Sequence, residues 1–387
     1  MHPPAPCQPP PPSTEELRHS QRLAQRIHEE IAATGGWISF ARYMELALYA
    51  PGLGYYSAGT RKFGAAGDFV TAPETSSLFG AVLARQVAAG LHDSGGDLLE
   101  IGGGSGKLAV DLLHALAQLS ALPRHYYLLE VSADLRQRQQ ALIDTLDSRL
   151  ATKVQWLDTL PTRFTGVVIG NEVLDAMPVH LVHWRQDGVF ERGVAADDDT
   201  FHWQERPATD GPLKTAADRL DPGAGYLSEI PLAASAFTAS LGRLLERGLI
   251  LLIDYGFGGA EYYHPQRRHG TLMCHYRHHS HDDPFYLPGL QDITAHVDFS
   301  AITAAALVGG LQLLGYTTQA NFLVNCGLTD QLGRVSPEDP AYPALASQAQ
   351  RLLSPAEMGE LFKVIAFGKG MCPPLPGFAA GDKSRLL

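Results

Sequence analysis

A carboxylate followed by closely spaced glycines is the clearest candidate for a ligand-binding turn in this sequence. Glu100 closes an apolar run, Gly102, Gly104 and Gly106 follow at every second position, and leucines at helical spacing begin at Leu108. This pattern predicts a strand, a tight turn and a helix. Glycine permits positive φ angles and lets a ligand approach the backbone, and a helix start offers unpaired N–H groups.

Three cofactor classes use turns of this kind. A nucleotide-binding P-loop is excluded, because Ile101 stands where its first glycine belongs and Leu108 replaces its metal-binding hydroxyl. Residues 104–109 do fit the G-x-G-x-x-A pattern of dinucleotide folds. Residues 100–106 also fit the pattern E-x-G-x-G-x-G, which is typical of sites for S-adenosylmethionine (SAM).

The charge of Glu100 separates the last two classes. A dinucleotide places its anionic pyrophosphate at such a turn and helix start, where Glu100 would repel it. SAM has no phosphate and carries an ammonium and a sulfonium, which a carboxylate suits. The sequence therefore favours SAM. A nicotinamide or flavin cofactor, and a helix-packing turn that binds nothing, remain as alternatives.

Further polar residues stand at the ends of predicted strands. Strands and helices alternate from residue 97 to residue 254, which predicts a parallel sheet with helices on both faces. Ligands of such sheets bind beyond the carboxyl ends of the strands. Glu130 closes the second strand, where mononucleotide-binding folds place an acid on the ribose hydroxyls; the alternative is a solvated strand end. The polar residues at these ends are Glu100, Glu130, Asp158, Asn171 and Asp254.

A long loop before the first strand is predicted to close over the cofactor. It runs from Lys62 to Glu74 and is rich in glycine, with Pro73 stiffening its far end. Loops of this length are often functional. Asp68 and Glu74 would place negative charge at its mouth. The alternative is a surface excursion without a role.

Composition limits the function classes. The chain has 387 residues, 45% of them hydrophobic, with a net charge of −11 and four cysteines that lack metal or redox spacing. This charge disfavours nucleic acid as a partner, and no apolar run reaches the roughly 20 residues of a membrane span. The N-terminus shows neither a signal core nor an Arg-rich transit peptide. We therefore expect a cytoplasmic, bacterial protein whose oligomeric state is left open.

The predicted domain organisation is an α/β core with additions before it and within it. Histidines at 275–281 supply metal-ligand types without firm spacing, so a mobile polar loop is favoured over a metal site and no metal ligand is assigned. The predicted parts are a disordered Pro-rich tail at 1–12, an N-terminal helical extension with the active-site loop at 13–93, a core at 94–370 with insertions at about 178–228 and 256–355, and a flexible tail at 371–387.

Several stretches together resemble one family over about residues 20–370. The glycine turn is common to many enzymes, whereas the stretches at 67–74 and 292–299 are more specific. The chain resembles the MidA-like family of SAM-dependent methyltransferases. The stretches that carry the resemblance are Gly54–Tyr56, Gly67–Glu74, Glu100–Gly106, Asn171–Pro178, Ile253–Gly256, Asp292–Phe299 and Met358–Lys363.

The resemblance implies a fold, a reaction and a partner. The fold is a Rossmann-like class I methyltransferase core with a mostly parallel sheet, an N-terminal helical extension and inserted helical and loop segments. Mitochondrial relatives methylate an arginine of a core subunit of respiratory complex I. The resemblance therefore implies a protein-arginine methyltransferase whose partner is a protein with a target arginine, a respiratory-complex subunit being one candidate. Small-molecule methyltransferases, nicotinamide oxidoreductases and a non-catalytic assembly factor are the alternatives.

Site residues follow from the motifs and from the chemistry of a guanidinium acceptor. Carboxylates accept guanidinium hydrogens in pairs and can take a proton. The bland alternatives are a surface helix residue for Glu172 and a loop contact for Asp175. The predicted catalytic residues are Asn171, Glu172 and Asp175. The predicted cofactor-binding residues are Glu100, Gly102, Gly104, Gly106, Glu130, Asp158, Thr71 and Pro73. The predicted substrate-binding residues are Asp68, Glu74, Asp254 and His296.

Overall fold

The computed structural model describes residues 10–58, 71–198, 200–371 and 374–387, and Asp68 and most of the predicted closing loop lie outside these ranges. Elements are numbered along the chain. The helices are α1 (Thr14–Ala33), α2 (Phe40–Tyr49), α3 (Ala72–Thr75), α4 (Ser77–Ser94), α5 (Lys107–Gln118), α6 (Ala133–Ile143), α7 (Ser148–Ala151), α8 (Pro212–Ala217), α9 (Leu232–Leu244), α10 (Gly259–Tyr262), α11 (Phe299–Val308), α12 (Gln319–Asn325), α13 (Leu328–Leu332) and α14 (Tyr342–Leu353).

The strands belong to three sheets. They are β1 (Ile38–Ser39), β2 (Asp97–Ile101), β3 (Tyr126–Leu129), β4 (Val154–Leu157), β5 (Phe164–Asn171), β6 (His180–Arg185), β7 (Gly188–Asp197), β8 (Thr200–Pro207), β9 (Tyr226–Ile230), β10 (Leu245–Phe257), β11 (Met273–Tyr276), β12 (His279–His281), β13 (Asp292–Thr294), β14 (Val297–Asp298), β15 (Gln312–Thr318) and β16 (Phe362–Lys369).

The chain divides into two compact units. The first comprises residues 1–70, 176–232 and 265–295, and the second comprises 71–175, 233–264 and 296–387. The glycine turn belongs to the second unit, and so do all predicted site residues that the structure describes.

The second unit is built on a mixed sheet in the order β15-β16-β10-β5-β2-β3-β4, with β14 beside β10. The five strands from β4 to β10 are parallel, and β16 and β15 run antiparallel. The predicted α/β fold with a mostly parallel sheet is confirmed. Register aligns the carboxyl ends of the central strands, since Ile101 pairs with Gly170 and Asn171 pairs with Ile253. These ends form one edge, where the predicted site residues collect.

Small residues allow the helices of this unit to pack closely. A Cβ at Gly80 of α4 would lie 2.6 Å from the Cβ of Asp111 on α5, and one at Gly90 would lie 2.7 Å from Val167 of β5. The leucines of α5 face the sheet at the predicted helical spacing and are buried. This packing fixes the helix that begins at the glycine turn.

The first unit joins helices to antiparallel strands. Its α1 is preceded by the N-cap Ser13, which forms a capping box with Glu16, and the helix buries Leu23, Ile27 and Ile31. One sheet has the order β1-β7-β6-β9 with β8 beside β7, and another has the order β12-β11-β13. The hairpin expected near residues 180–194 is observed as β6 and β7.

Several segments differ from the predicted organisation. The insertion predicted within the core at about 178–228 belongs to the first unit, where it supplies β8 and α8. Helix α4 lies in the second unit with the core, as do residues 296–355. The C-terminal tail, expected to be flexible, contains short 3-10 turns and buries Phe378, because Gly377 allows it to reach Phe322.

Two further properties concern membranes and metals. No helix in the described ranges is both long enough and apolar enough to cross a bilayer. The histidine-rich segment forms β11 and β12, and the described residues contain no group of three His, Cys, Asp or Glu side chains that could hold a metal ion.

Candidate active site

The glycine turn adopts a conformation that other residues rarely take. Gly102, Gly104 and Gly106 have φ angles of +68°, +52° and +88°, and Gly106 caps α5. A Cβ built on Gly104 would meet no atom within 4 Å, so this position faces open space. The turn therefore combines accessible backbone with the N-terminus of α5.

Glu100 lies buried beneath this turn. Its Oε2 accepts a hydrogen bond of 2.6 Å from the hydroxyl of Tyr126 on β3, and only 2% of the residue is exposed. Burial raises the pKa of Glu100 to about 7; the Tyr126 hydrogen bond opposes this rise and the charge of Glu130 adds to it. The carboxyl group is thus poised to change charge near neutral pH.

Glu130 follows β3 and is held on both oxygens. The backbone N–H of Ser132 donates to Oε1 at 2.8 Å, and the amide of Gln139 donates to Oε2 at 3.0 Å. Burial raises the pKa of Glu130, and these two donors act against the rise. The next residue, Val131, is 78% exposed, so an apolar side chain stands open beside the fixed carboxylate.

Asp158 does not share this environment. Its side chain is 86% exposed, and it pairs with Arg136 of α6 at 2.8 Å. The same guanidinium donates to the carbonyl oxygens of Glu130 and Leu157. The predicted role of Asp158 in holding the cofactor thus finds no support in this geometry, where it anchors Arg136 at the surface.

Helix α3 connects the glycine turn to the tip of β5. The hydroxyl of Ser105 donates to the carboxylate of Glu74, and the backbone N–H of Ala72 donates to Oε1 of Glu172 at 3.4 Å. Thr71 is the N-cap of this short helix, and Pro73 is buried in its first turn. The described end of the predicted closing loop therefore lies against both halves of the site.

The segment after β5 carries the predicted catalytic residues. Glu172 has a φ angle of +53°, which is uncommon for a residue with a side chain and is often found at functional sites. Its Oε1 accepts a hydrogen bond of 2.9 Å from Nδ2 of Asn171. Among the described residues, the buried Oδ1 of Asn171 has no hydrogen-bond partner. Val173 packs against Gly102, whose Cβ would lie 3.1 Å from Cγ2 of Val173.

Asp254, at the end of β10, holds this segment in place. Its Oδ2 accepts hydrogen bonds from the backbone N–H groups of Val173, Leu174 and Asp175 at 3.1, 2.9 and 3.3 Å. Only 1% of Asp254 is exposed. Burial, and then the charges of Asp175 and Glu172, raise its pKa well above the usual value. These contacts show Asp254 holding the backbone of this segment, and its predicted direct contact with the substrate stays a prediction.

His296 belongs to a ring cluster further along β10. It stacks on Phe257 with 5.2 Å between ring centroids, and it meets Tyr255 edge-on at 5.0 Å. The ammonium of Lys363 also lies over the ring of Phe257, 5.6 Å from the ring centroid. The structure thus places His296 against aromatic rings, and its predicted contact with a substrate stays a prediction.

Sequence reasoning missed the residues that hold the two acids. Tyr126 fixes Glu100, while Gln139 and Trp156 lie behind Glu130. Tyr126 was not among the predicted site residues. Gln139 carried one usable signal, because it stands midway between the inward-facing Leu135 and Ile143 of α6, where an apolar residue is expected.

Comparison with known proteins gives a consistent result. A family model described as "Putative S-adenosyl-L-methionine-dependent methyltransferase" matches residues 82–317. A protein from Burkholderia thailandensis, whose crystal structure holds S-adenosyl-homocysteine, is 50% identical, with a TM-score of 0.95 and coverage of 98% of this chain and 100% of that one. The chain belongs to this methyltransferase family.

Curated relatives of this methyltransferase are more distant. The mitochondrial "Protein arginine methyltransferase NDUFAF7 homolog" of Caenorhabditis elegans is 29% identical over 355 residues, covering 84% of this chain and 81% of that protein. The Danio rerio protein arginine methyltransferase NDUFAF7, also mitochondrial, is 28% identical over 380 residues, covering 89% and 86%. Both matches extend over both units of the methyltransferase.

The site of the methyltransferase fits its cofactor, SAM. Gly104 leaves open space where a side chain would stand, and the carboxylate of Glu130 is already fixed nearby. Val131 offers an exposed apolar surface beside that carboxylate.

Proposed function

We propose that this methyltransferase transfers the methyl group of SAM to an arginine side chain of a protein. The observation that carries the proposal is a group of three acidic residues, Glu172, Asp175 and Asp254. The side chain of Asp254 accepts a hydrogen bond from the backbone N–H of Asp175 at 3.3 Å, and the backbone N–H of Glu172 donates to the carbonyl of the adjacent Ile253 at 2.8 Å. Burial, and then the charges of Asp175 and Glu172, raise the pKa of Asp254. A local excess of negative charge attracts a cation and disfavours a phosphate-bearing acceptor. The names of the curated relatives support arginine in particular.

The chemistry requires positioning more than covalent participation by the protein. When bound, SAM supplies an activated methyl group and a thioether leaving group. Glu172 would accept guanidinium hydrogens, and its backbone is fixed by the hydrogen bond from its own N–H to the carbonyl of Ile253 at 2.8 Å. Asp175 lies three residues further along the same segment. A carboxylate that accepts such hydrogens aligns the nucleophile and takes its proton.

The cofactor side of the proposal assigns the two buried acids. Glu130, held by Ser132 and Gln139, would accept hydrogen bonds from the ribose hydroxyls. Glu100 would supply negative charge to the ammonium of SAM from beneath the turn. Glycines 102, 104 and 106 would let the backbone approach the cofactor.

The decisive experiment compares proteins with and without the gene in the same strain. Mass spectrometry of the proteome should reveal a peptide whose arginine carries a methyl or dimethyl increment only when the gene is present. The purified chain and tritiated SAM should then label a synthetic copy of that peptide.

A matched peptide with lysine in place of the target arginine serves as the control. It should stay unlabelled, because lysine presents a single ammonium to the paired carboxylates. Loss of methyl groups from lysine, or from small molecules only, would contradict the proposed acceptor while leaving the use of SAM intact.

A further inference from the structure

Gln139 is a polar side chain in the middle of an apolar helix face. The inward positions of α6 are Leu135, Gln139 and Ile143, spaced four residues apart, and Gln139 is completely buried. Polar groups are buried in such positions at a cost unless hydrogen bonds compensate them. A glutamine here therefore calls for an explanation from its contacts.

The amide of Gln139 joins three separate segments. Its Nε2 donates to the carbonyl oxygen of Gly104 and to Oε2 of Glu130, both at 3.0 Å. Its Oε1 accepts a hydrogen bond of 2.9 Å from the indole N–H of Trp156 on β4. Since an indole N–H only donates, Oε1 must face Trp156, and Nε2 must face the two acceptors. The amide orientation is thus fixed by its partners.

The glycine turn also packs directly on this residue. A Cβ at Gly106 would lie 3.2 Å from both Cα and Cγ of Gln139, and a Cβ at Gly103 would lie 3.3 Å from its Nε2. Side chains at these two positions would push α6 away from the turn. The glycines therefore serve the approach of Gln139 as well as that of a ligand.

We infer that Gln139 is a positioning residue for SAM, which holds the glycine turn and the carboxylate of Glu130 in one arrangement before the cofactor binds. A site that is ordered in advance loses less conformational entropy on binding. The inference rests on the ribose contact proposed for Glu130. It does not depend on the acceptor being an arginine, because binding is measurable without any acceptor.

The charges around Glu130 define what the amide contributes. Glu100 of β2 is close enough for the charge of Glu130 to raise its pKa, and Arg136 of α6 donates to the backbone carbonyl of Glu130. Arg136 is itself paired with Asp158. Against burial, the amide of Gln139 and the N–H of Ser132 favour the ionised form of Glu130. Gln139 thus supports the form that accepts hydrogen bonds.

Calorimetric titration with S-adenosyl-homocysteine tests the inference. Gln139→Met keeps an unbranched side chain of similar length but removes the amide, and it should weaken binding about tenfold or more, as expected for a lost hydrogen bond to a charged group. Gln140→Met is the matched control, because the next residue on α6 is exposed and donates only to Asp144 on the same helix. Its affinity should equal that of the wild type.

A double-mutant cycle distinguishes positioning from a general structural role. If Gln139 acts mainly through Glu130, most of the effect of Gln139→Met should disappear in a chain that already carries Glu130→Ala. Additive losses would overturn the inference. So would an affinity of Gln139→Met within twofold of the wild type, provided that circular dichroism shows it folded.

Gln139→Glu supplies a second test, in which the pH dependence of binding should change in a stated direction. The new carboxylate would face Glu130 and repel it, so binding should be weak at neutral pH and should recover on acidification, when one proton can be shared by the pair. Gln139→Met should show no such recovery. A pH profile of Gln139→Glu that parallels the wild type would contradict the inference, including in the case that Gln139→Met fails to fold.

Discussion

The turn after β2 and the segment after β5 lie at the same edge of one sheet, yet their acids are held in different ways. Glu100 and Glu130 are fixed by side chains from neighbouring elements, Tyr126 and Gln139. Asp254 is fixed by three successive backbone N–H groups. The backbone of Glu172 has a left-handed conformation, which sets the direction of its side chain.

This difference separates two kinds of preparation for binding. On the cofactor side, neutral donors fix each carboxylate, so the geometry is largely set before a ligand arrives. On the acceptor side, burial, and then the charges of Asp175 and Glu172, raise the pKa of Asp254, so part of this rise reflects like charges that are held close together. A cationic acceptor would relieve that repulsion, whereas a neutral one would not.

The strongest test of the cofactor side replaces Gly104 by valine. The φ angle of +52° strains any β-branched residue, and the new side chain would fill the open space over the turn. We expect binding of S-adenosyl-homocysteine to fall by more than about 100-fold by calorimetry. Gly95→Val is the matched control, since Gly95 also has a positive φ, +65°, and open space around it, but it caps α4 away from the turn. Equal losses in both variants would show a folding defect instead.

The acceptor side should respond in the opposite manner. Glu172→Gln and Asp175→Asn keep the shape of each side chain and remove its charge, so methyl transfer to the identified acceptor should fall about 100-fold or more, the usual effect of losing a proton-accepting group. Binding of S-adenosyl-homocysteine should change little. The exposed Glu338→Gln provides the control. Wild-type turnover in both site variants would refute their assignment.

The sequence predicted the parts of the site that depend on local pattern. The strand, glycine turn and helix around Gly102 follow from periodicity and from glycine's freedom at positive φ, and the register of parallel strands brings Glu130 and Asn171 to the same edge. A pattern of this kind is local and repeats along the chain. The fold class was accessible for the same reason.

Contacts between distant residues could not be obtained in that way. Tyr126 of β3 reaches Glu100 on the neighbouring strand β2 across a separation of 26 positions, and Asp254 reaches Val173 across a separation of 81 positions. Neither residue type indicates its hydrogen-bond partner, because a tyrosine in a strand usually packs against neighbouring side chains and an aspartate at a strand end is usually solvated. The roles of Asp158 and Asp254 were therefore predicted from position alone, and the structure shows one pointing outward and the other turned to the backbone.

The acceptor side, where backbone N–H groups hold Asp254, can be tested through the free energy of unfolding. Asp254→Ala would leave the N–H groups of Val173, Leu174 and Asp175 without their acceptor, and we expect the free energy of unfolding to fall by about 1–3 kcal/mol. Asp254→Asn keeps one oxygen acceptor and should lose less. As a comparison, Asp147→Ala removes the exposed N-cap of α7, whose Oδ1 accepts a hydrogen bond from the backbone N–H of Arg149, and should cost about 1 kcal/mol or less. Urea denaturation measures all three, and equal losses for Asp254→Ala and Asp147→Ala would contradict the anchoring role.

The cofactor side, where side chains hold the acids, can be tested through the pH dependence of Glu100. Its pKa of about 7 means that it is neutral in the folded chain between pH 4.5 and 7, where the unfolded chain has lost the proton. The native state then binds more protons, so this residue lowers the free energy of unfolding as pH rises through that window. Glu100→Gln should remove that dependence.

The same titration should appear in cofactor binding with the opposite sign. Ionisation of Glu100 lowers the free energy of unfolding but should raise the affinity for the cofactor. The ammonium of S-adenosyl-homocysteine needs the ionised form of Glu100, whose population rises about tenfold between pH 6 and pH 8 for a pKa near 7. Affinity measured by calorimetry should therefore rise about tenfold over this range in the wild type and stay nearly flat in Glu100→Gln. Tyr126→Phe removes the hydroxyl that favours the ionised form, so its rise should be displaced to higher pH. If Tyr126→Phe and the wild type rise at the same pH, the side-chain donor does not set the charge of Glu100, and the contrast between the two halves of the site loses its electrostatic part.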